Sequence, residues 1–140
     1  MKNEMNLEFD SISENEAFAR VGAASFATQL NPNLEEIDDI KTVVSEAVTN
    51  SIIHGYPDEQ GKIFMHCLIE EKNLHITIMD RGIGILDVKK AMEPMYTSKP
   101  EMERSGMGFC FMETLMDKLE VQSIPGAGTT VKMMKKIGRK

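Results

Sequence analysis

The chain has 140 residues and a mass of 15.7 kDa, which suits one domain with a single core and leaves no room for a second catalytic module. It is 41% hydrophobic and 27% charged, as globular proteins are, and its net charge of -6 argues against a nucleic-acid surface as the main partner. The start lacks an apolar signal segment, and no apolar run approaches the length of a membrane span, so we expect a cytoplasmic protein.

The N-terminal segment predicts a strand followed by a helix. Polar and apolar residues alternate over the first ten positions, which predicts a strand whose buried face holds Met5, Leu7 and Phe9. Ser13 and Glu16 have the spacing of a capping box, so a helix is expected to run from there to about Leu30. Its inward side is predicted to contain Ala17, Val21 and Ala24. A break at Asn31-Pro32 precedes a second helix, with a cap predicted from Asn33 and Glu36.

The second helix, predicted over residues 34–54, has a polar row that suggests chemistry. Glu46, Asn50 and His54 follow at intervals of four, which puts a carboxylate, an amide and an imidazole on one side. The amide oxygen is a hard ligand for Mg²⁺, and the carboxylate can take a proton from an attacking hydroxyl. The alternative interpretation is a solvated helix face. The core stripe of this helix is predicted to contain Val43, Val44, Ala47, Val48 and Ile52.

The rest of the sequence predicts two hairpins, a loop and a short helix. Strands are predicted over residues 63–69, 74–78, 118–123 and 129–135. Residues 106–117 have a helical pattern, and the charged, proline-containing segment before them is expected to be a mobile loop. Together the elements predict an α/β (α+β) two-layer sandwich, in which a mixed, largely antiparallel sheet has helices on one face.

Two glycine clusters have the chemistry of a nucleotide site. Asp80 follows a strand and precedes Gly82 and Gly84, so a buried carboxylate there can accept a hydrogen bond from the amine of adenine, whereas guanine presents an oxygen. This predicts ATP over GTP, with a plain Asp-x-Gly turn as the alternative. The second cluster, residues 104–109, opens a helix whose free N–H groups suit phosphate, with Arg104 and Lys99 adding charge.

The common nucleotide fingerprints are absent from the sequence. It contains no G-x-x-x-x-G-K-[ST], and neither glycine cluster is completed to G-x-G-x-x-G. The missing fingerprints therefore argue against a P-loop NTPase and against a Rossmann enzyme. A third cluster, Gly126-Ala127-Gly128, is explained by a hairpin turn without any ligand.

Taken in order, four segments resemble the N, G1, G2 and G3 boxes of the GHKL superfamily of ATPases and kinases with a Bergerat nucleotide fold: residues 46–50, 80–84, 104–109 and 128–130. The sequence is still more similar to the anti-sigma-F family of small serine protein kinases from sporulating bacilli, over essentially the whole chain. The resemblance implies one GHKL/Bergerat ATP-binding kinase domain over residues 1–140, with a mobile ATP lid over about residues 85–105.

The resemblance also implies roles for individual residues. Glu46 would be the general base that accepts the proton of the substrate serine, and Asn50 would be the Mg²⁺ ligand. Asp80 would bind adenine N6 with help from Gly84 and Thr130. The residues implied to bind ATP or ADP are Asn50, Asp80, Gly82, Gly84, Thr97, Lys99, Arg104, Ser105, Gly106, Met107, Gly108 and Thr130.

The implied partners are proteins rather than nucleic acid or membrane. Members of the family act as homodimers, bind a sporulation sigma factor and phosphorylate a serine on an anti-anti-sigma protein. Arg20 is a candidate for partner contact, with a solvated helix arginine as the alternative. The rival hypothesis is a non-catalytic, ATP-gated sigma-binding module, but the intact Glu46 and Asn50 favour a kinase. Two departures from the family pattern are Arg81, where many relatives have an acidic or small residue, and Leu86, where proline is common.

Overall fold

An antiparallel sheet of five strands organises the described part of the chain. The computed structural model describes residues 1–85, 88, 92 and 108–138. In that part the strands are β1 (Lys2–Asp10), β2 (Lys62–Glu70), β3 (Asn73–Asp80), β4 (Lys118–Ile124) and β5 (Gly128–Lys136). Their order is β1-β2-β3-β5-β4, and each of the four neighbouring pairs is antiparallel. The predicted largely antiparallel sheet is confirmed.

Helices cover one face of this sheet. They are α1 (Glu14–Ala27), α2 (Leu34–Asn50) and α3 (Gly108–Leu115). A 3₁₀ turn over Thr28–Leu30 extends α1, and a π-helical turn over Ser51–Gly55 extends α2. Because α2 contacts both α1 and α3, it is the central member of the helix layer. No helix in the described residues has the length and apolar character needed to cross a membrane.

The core lies between the two layers, as the predicted sandwich requires. Strand residues on the covered face alternate with less buried ones, as period-2 geometry dictates. The buried members on β2 and β3 are Ile63, Met65, Cys67, Ile69, Leu74, Ile76 and Ile78. They pack against the stripe of α2 formed by Ile40, Val43, Val44, Ala47 and Val48. The opposite side of the sheet, called the open face here, presents the half-buried residues Phe64, His66, Leu68, Thr77 and Met79.

The first helix differs from its prediction at two points. Ser13 has φ -58° and ψ -32°, a helical conformation, and its side chain makes no capping hydrogen bond, since capping requires an extended residue. Val21 is 56% exposed and Ala17 is also exposed. The predicted capping box and inward side are therefore wrong, apart from Ala24. The buried side consists of Ala19, Ala23, Ala24 and Ala27. Because alanine side chains are small, this side differs little in hydrophobicity from the exposed side of the helix.

The start of α2 confirms its prediction. Asn33 has an extended backbone, and its Oδ1 accepts a hydrogen bond of 2.7 Å from the Glu36 N–H. Glu36 Oε1 accepts one of 2.9 Å from the Asn33 N–H, which completes the capping box. The other carboxylate oxygen of Glu36 accepts from the Gly138 N–H at 3.1 Å. One side chain thus ties the start of α2 to the end of the described chain.

The two helix starts can be compared by a pair of substitutions. Asn33→Ala should lower the free energy of unfolding by about 1 kcal/mol, because the first turn of α2 loses its cap. Ser13→Ala should change it by less than about 0.5 kcal/mol, because no side-chain cap is lost. Urea denaturation of both variants measures the difference, and equal losses would contradict this account of α1.

Candidate functional site

The polar side of α2 opens on a groove. Ala47 and Val48 are fully buried and fix the orientation of the helix, while Glu46 and Asn50 are half-buried on its outer side. An open groove of about 500 Å³ runs beside Glu46, and we call it the Glu46 groove. It is lined by Arg20, Asp38, Lys41, Thr42, Ser45 and Glu46. The structure thus brings the predicted partner residue Arg20 and the predicted base Glu46 to one concave surface.

Asp80 is a buried carboxylate surrounded by hydrogen-bond donors. Its residue exposure is 3%, and its Oδ2 accepts a hydrogen bond of 2.7 Å from the Ser51 hydroxyl. Its Oδ1 accepts one of 2.9 Å from the Gly82 N–H, and the backbone of Thr129 donates as well. Burial raises the pKa of Asp80, and these three hydrogen bonds oppose that rise. A buried carboxylate held in this way suits recognition of a ligand N–H group.

Close backbone contacts place Asp80 at the end of α2. The Ile83 N–H donates a hydrogen bond of 2.9 Å to the Gly55 carbonyl oxygen at the end of the π-helical turn. A Cβ atom at Gly82 would lie 2.0 Å from that same oxygen. A Cβ at Gly128 would lie 2.1 Å from the carbonyl oxygen of Asp80. Only residues without side chains allow the helix end, the turn after β3 and the start of β5 to meet so closely.

Tyr56 clamps the same turn from the other side. Its hydroxyl accepts a hydrogen bond of 2.7 Å from the Arg81 N–H and donates one of 2.6 Å to the Lys62 carbonyl oxygen. The clamp joins the end of α2, the start of β2 and the end of β3. The Arg81 guanidinium lies 5.0 Å from the centre of the Phe64 ring, on the open face. Nothing in the sequence pattern signalled this role of Tyr56.

The strand register places Thr129, rather than Thr130, beside Asp80. Thr129 is the cross-strand partner of Asp80, whereas Thr130 pairs with Met79, and paired residues share a face of the sheet. Thr130 therefore lies on the open face. The Thr129 hydroxyl lies 3.0 Å from the Ser123 hydroxyl, and Ser123 Oγ accepts a hydrogen bond of 2.6 Å from the Ile85 N–H. No role was predicted for Thr129, Ser123 or Ser51, because their places in the site depend on segments that are distant in the chain.

Several predicted site residues cannot be placed in this geometry. Six of them, together with most of the expected lid over 85–105, lie outside the described residues: Thr97, Lys99, Arg104, Ser105, Gly106 and Met107. Gly84 is described, and its Cα lies against the backbone of Ile124. Gly108 is the first residue of α3, which is anchored by the buried Phe109 and Met112.

The donor set available for a metal is small. The described residues contain no group of three or more His, Cys, Asp and Glu side chains that could hold a metal ion. Mg²⁺ in nucleotide sites needs no such cage, because it is held by one or two protein oxygens, by phosphate oxygens and by water. The amide oxygen of Asn50 fits that demand, and the residues present are compatible with a nucleotide-dependent Mg²⁺ site.

A structural comparison supports the fold. A crystal structure of the RsbU and RsbW domains of a Mycobacterium tuberculosis protein superposes with a TM-score of 0.68 at 18% sequence identity. The match covers 96% of this chain and 32% of that longer one. At this identity the likeness concerns the fold alone.

Sequence comparisons identify the family. Residues 11–135 match the family described as the histidine kinase-like ATPase domain, a family of ATP-using proteins. An anti-sigma F factor of Oceanobacillus iheyensis is 58% identical over 99% of this chain and 96% of its own length. The anti-sigma F factor of Clostridium acetobutylicum is 56% identical over 97% of this chain and 95% of its own length. That of Bacillus subtilis is 51% identical over 99% of this chain and 96% of its own length. The chain therefore belongs to the anti-sigma F factor family, within the histidine kinase-like ATPase domains.

Proposed function

We propose that this chain is a cytoplasmic anti-sigma factor and a serine protein kinase. It binds the sporulation sigma factor F and uses Mg-ATP to phosphorylate a serine on an anti-anti-sigma partner, with residues 1–140 acting as one GHKL domain. The observation that carries the proposal is that one helix, α2, lines an open groove with Glu46 and ends against the buried carboxylate of Asp80. Its relatives are anti-sigma F factors, which supports the sigma partner.

Asp80 is the proposed reader of the adenine ring. An ionised carboxylate offers about four acceptor positions, and Ser51, Gly82 and Thr129 use three of them. The remaining position suits a single N–H donor, such as the exocyclic amine of adenine. Guanine would place its O6 against this carboxylate, and two acceptors repel each other. This chemistry supports ATP or ADP as the ligand, with Gly82 and Gly84 forming the turn beside it.

Asn50 and the start of α3 are proposed to serve the phosphate end of the nucleotide. Asn50 would hold Mg²⁺, which neutralises phosphate charge when bound. The N–H groups at the start of α3, together with its dipole, favour an anion near Gly108. The other residues assigned to the phosphates from the sequence keep that role as part of the proposal: Thr97, Lys99, Arg104, Ser105, Gly106 and Met107.

Glu46 is the proposed general base. The Glu46 groove is open to solvent and wide enough to admit a segment of a protein substrate. A serine hydroxyl placed there would pass its proton to the Glu46 carboxylate as its oxygen attacks the γ-phosphorus of ATP and ADP leaves, so that the serine oxygen does not keep a positive charge. Arg20 lines the same groove, and its Nε donates a hydrogen bond of 2.8 Å to Glu16 Oε2, which orients the guanidinium. Arg20 is therefore the proposed contact for a partner protein.

The open face is the proposed surface of a homodimer. It carries a shallow cavity of about 340 Å³, lined in part by Phe64, Thr77 and Met79. Apolar side chains on a sheet face that no described helix covers suit burial against another protein surface. A second copy of the same face would satisfy this need symmetrically.

The base can be tested by a carboxylate-to-amide change. Glu46→Gln should slow phosphate transfer to the partner serine by about 100- to 10,000-fold, because the hydroxyl loses its proton acceptor. ATP binding should persist. Glu35→Gln, an exposed carboxylate in the first turn of the same helix, is the matched control and should transfer phosphate at nearly the normal rate. A normal rate in Glu46→Gln would show that the base is another group. If the unmodified chain binds ATP and sigma factor but transfers no phosphate, the ATP-gated binding module is correct.

The adenine site can be tested by calorimetric titration. Asp80→Asn should weaken ATP binding by about 10- to 100-fold, since a charged acceptor is replaced by an amide. Asp58→Asn, in an exposed loop, should leave the affinity unchanged. An Asp80→Asn variant with the original ATP affinity would return this residue to the alternative of a ligand-free turn.

The partner surfaces can be tested by light scattering after size-exclusion chromatography. The chain alone should have about twice the mass of one 15.7 kDa protomer, and addition of sigma factor F with ATP should give a larger complex. Arg20→Ala should lose the complex and keep the dimer mass, because Arg20 lies in the groove and not on the open face. A monomeric mass would exclude the dimer, and an intact Arg20→Ala complex would exclude the proposed contact.

A further inference from the structure

Ser51 is a buried polar residue that the proposed mechanism does not yet use. It is the first residue of the π-helical turn, directly after Asn50, and its exposure is 4%. Its hydroxyl points away from solvent and donates the 2.7 Å hydrogen bond to Asp80 Oδ2. π-helical turns are rare in proteins as a whole, and those that occur are frequently found at functional sites. The local departure from α-helix geometry thus coincides with the contact that links α2 to the buried carboxylate.

The plane of that carboxylate is fixed by donors that reach its two oxygens from different elements, and Ser51 is the side-chain donor among the three. The terminal torsion of an aspartate is broad, so a single hydrogen bond leaves its two oxygens free to rotate. Gly82 N–H holds Oδ1, and Ser51 Oγ holds Oδ2 from the opposite element of the fold. With both bonds made, the unused acceptor position has a fixed direction. A ligand N–H group can then be recognised without a cost for ordering Asp80.

Gly55 limits the carboxylate from a third side. A Cβ atom at this position would lie 3.0 Å from Asp80 Cγ and 3.0 Å from its Oδ2. Such contacts are tighter than ordinary van der Waals contact, so any side chain here would displace the carboxylate. The first and last residues of the π-helical turn therefore act on the same group: Ser51 by donating to it and Gly55 by leaving space for it.

We propose that Ser51 is a positioning residue for purine selectivity, which aims the Asp80 carboxylate at the exocyclic amine on C6 of the base. Gly55 provides the space that this orientation requires. The inference rests on the proposed role of Asp80 in adenine binding and adds to it how the selectivity is set. Ser51 itself needs no contact with the nucleotide.

The test compares ATP with purine riboside triphosphate, which carries hydrogen in place of the C6 amine. Titration calorimetry in Mg²⁺ gives the affinity of each nucleotide for the unmodified chain, for Ser51→Ala and for Asp80→Asn. Ser51→Ala should weaken ATP by about tenfold, the scale of a hydrogen bond to a charged group, and the analogue by less than about twofold. Adding Ser51→Ala to Asp80→Asn should weaken ATP binding little further, because both substitutions remove the same interaction with the C6 amine.

Matched controls separate positioning from a general change in the fold. Ser25→Ala removes an exposed hydroxyl on α1 and should change neither affinity. Gly55→Ala should reduce the preference for ATP as Ser51→Ala does. Gly22→Ala is its control, because a Cβ there would meet only Leu7 Cδ2, at 4.0 Å. Thermal unfolding without nucleotide monitors the fold of each variant.

The possible outcomes separately test the role of Ser51, the role of Asp80 and nucleotide binding itself. An equal loss for both nucleotides in Ser51→Ala, or no loss for either, would overturn the positioning role. If the unmodified chain binds both nucleotides equally, Asp80 does not read the amine, and the inference fails while nucleotide binding stands. If it binds neither nucleotide, the proposed function itself is wrong.

Discussion

The structure depends on a backbone contact between the end of α2 and the turn after β3. The carbonyl oxygen of Gly55 accepts the Ile83 N–H and lies where a side chain at Gly82 would otherwise be. Because this contact has no flexible side chain in it, the distance between helix and strand is set by the backbones alone. Everything that α2 carries on its polar side is thereby held at a constant position relative to the end of β3.

That constancy explains how a carboxylate can remain buried at the junction of the layers. Burial disfavours the charge of Asp80, and donors from three separate elements offset this: Ser51, Gly82 and Thr129. None of these donors is close to another in sequence. The site is therefore a product of the tertiary structure, and the helix and the two strands must all be in place before the carboxylate is satisfied. The same junction joins the groove beside Glu46 to the buried carboxylate of Asp80.

Much of the fold followed from local signals, and the exceptions have physical causes. The alternation of polar and apolar residues predicted the strands of the sheet correctly, and the Asn33 capping box predicted the start of α2. Both signals depend on burial or hydrogen bonding within a few residues of the chain. The buried side of α1 was missed because alanines pack closely yet contrast weakly with polar neighbours, while the larger Val21 faces solvent. In the site, the spacing of Glu46 and Asn50 and the placement of Asp80 could be read locally. Ser51 and Thr129 could not be read in this way, because the hydrogen bond of Ser51 and the strand pairing of Thr129 with Asp80 form only in the folded protein.

The Tyr56 clamp has a consequence for which sequence changes the site tolerates. The Tyr56 hydroxyl holds position 81 by its backbone N–H, a group that nineteen of the twenty amino acids share. The side chain at this position is directed to the Phe64 ring and takes no part in the clamp. The arginine at this position therefore leaves the turn intact, and only proline would remove the donor. Variation at position 81 can change the charge of the open face while the geometry around Asp80 is inherited unchanged.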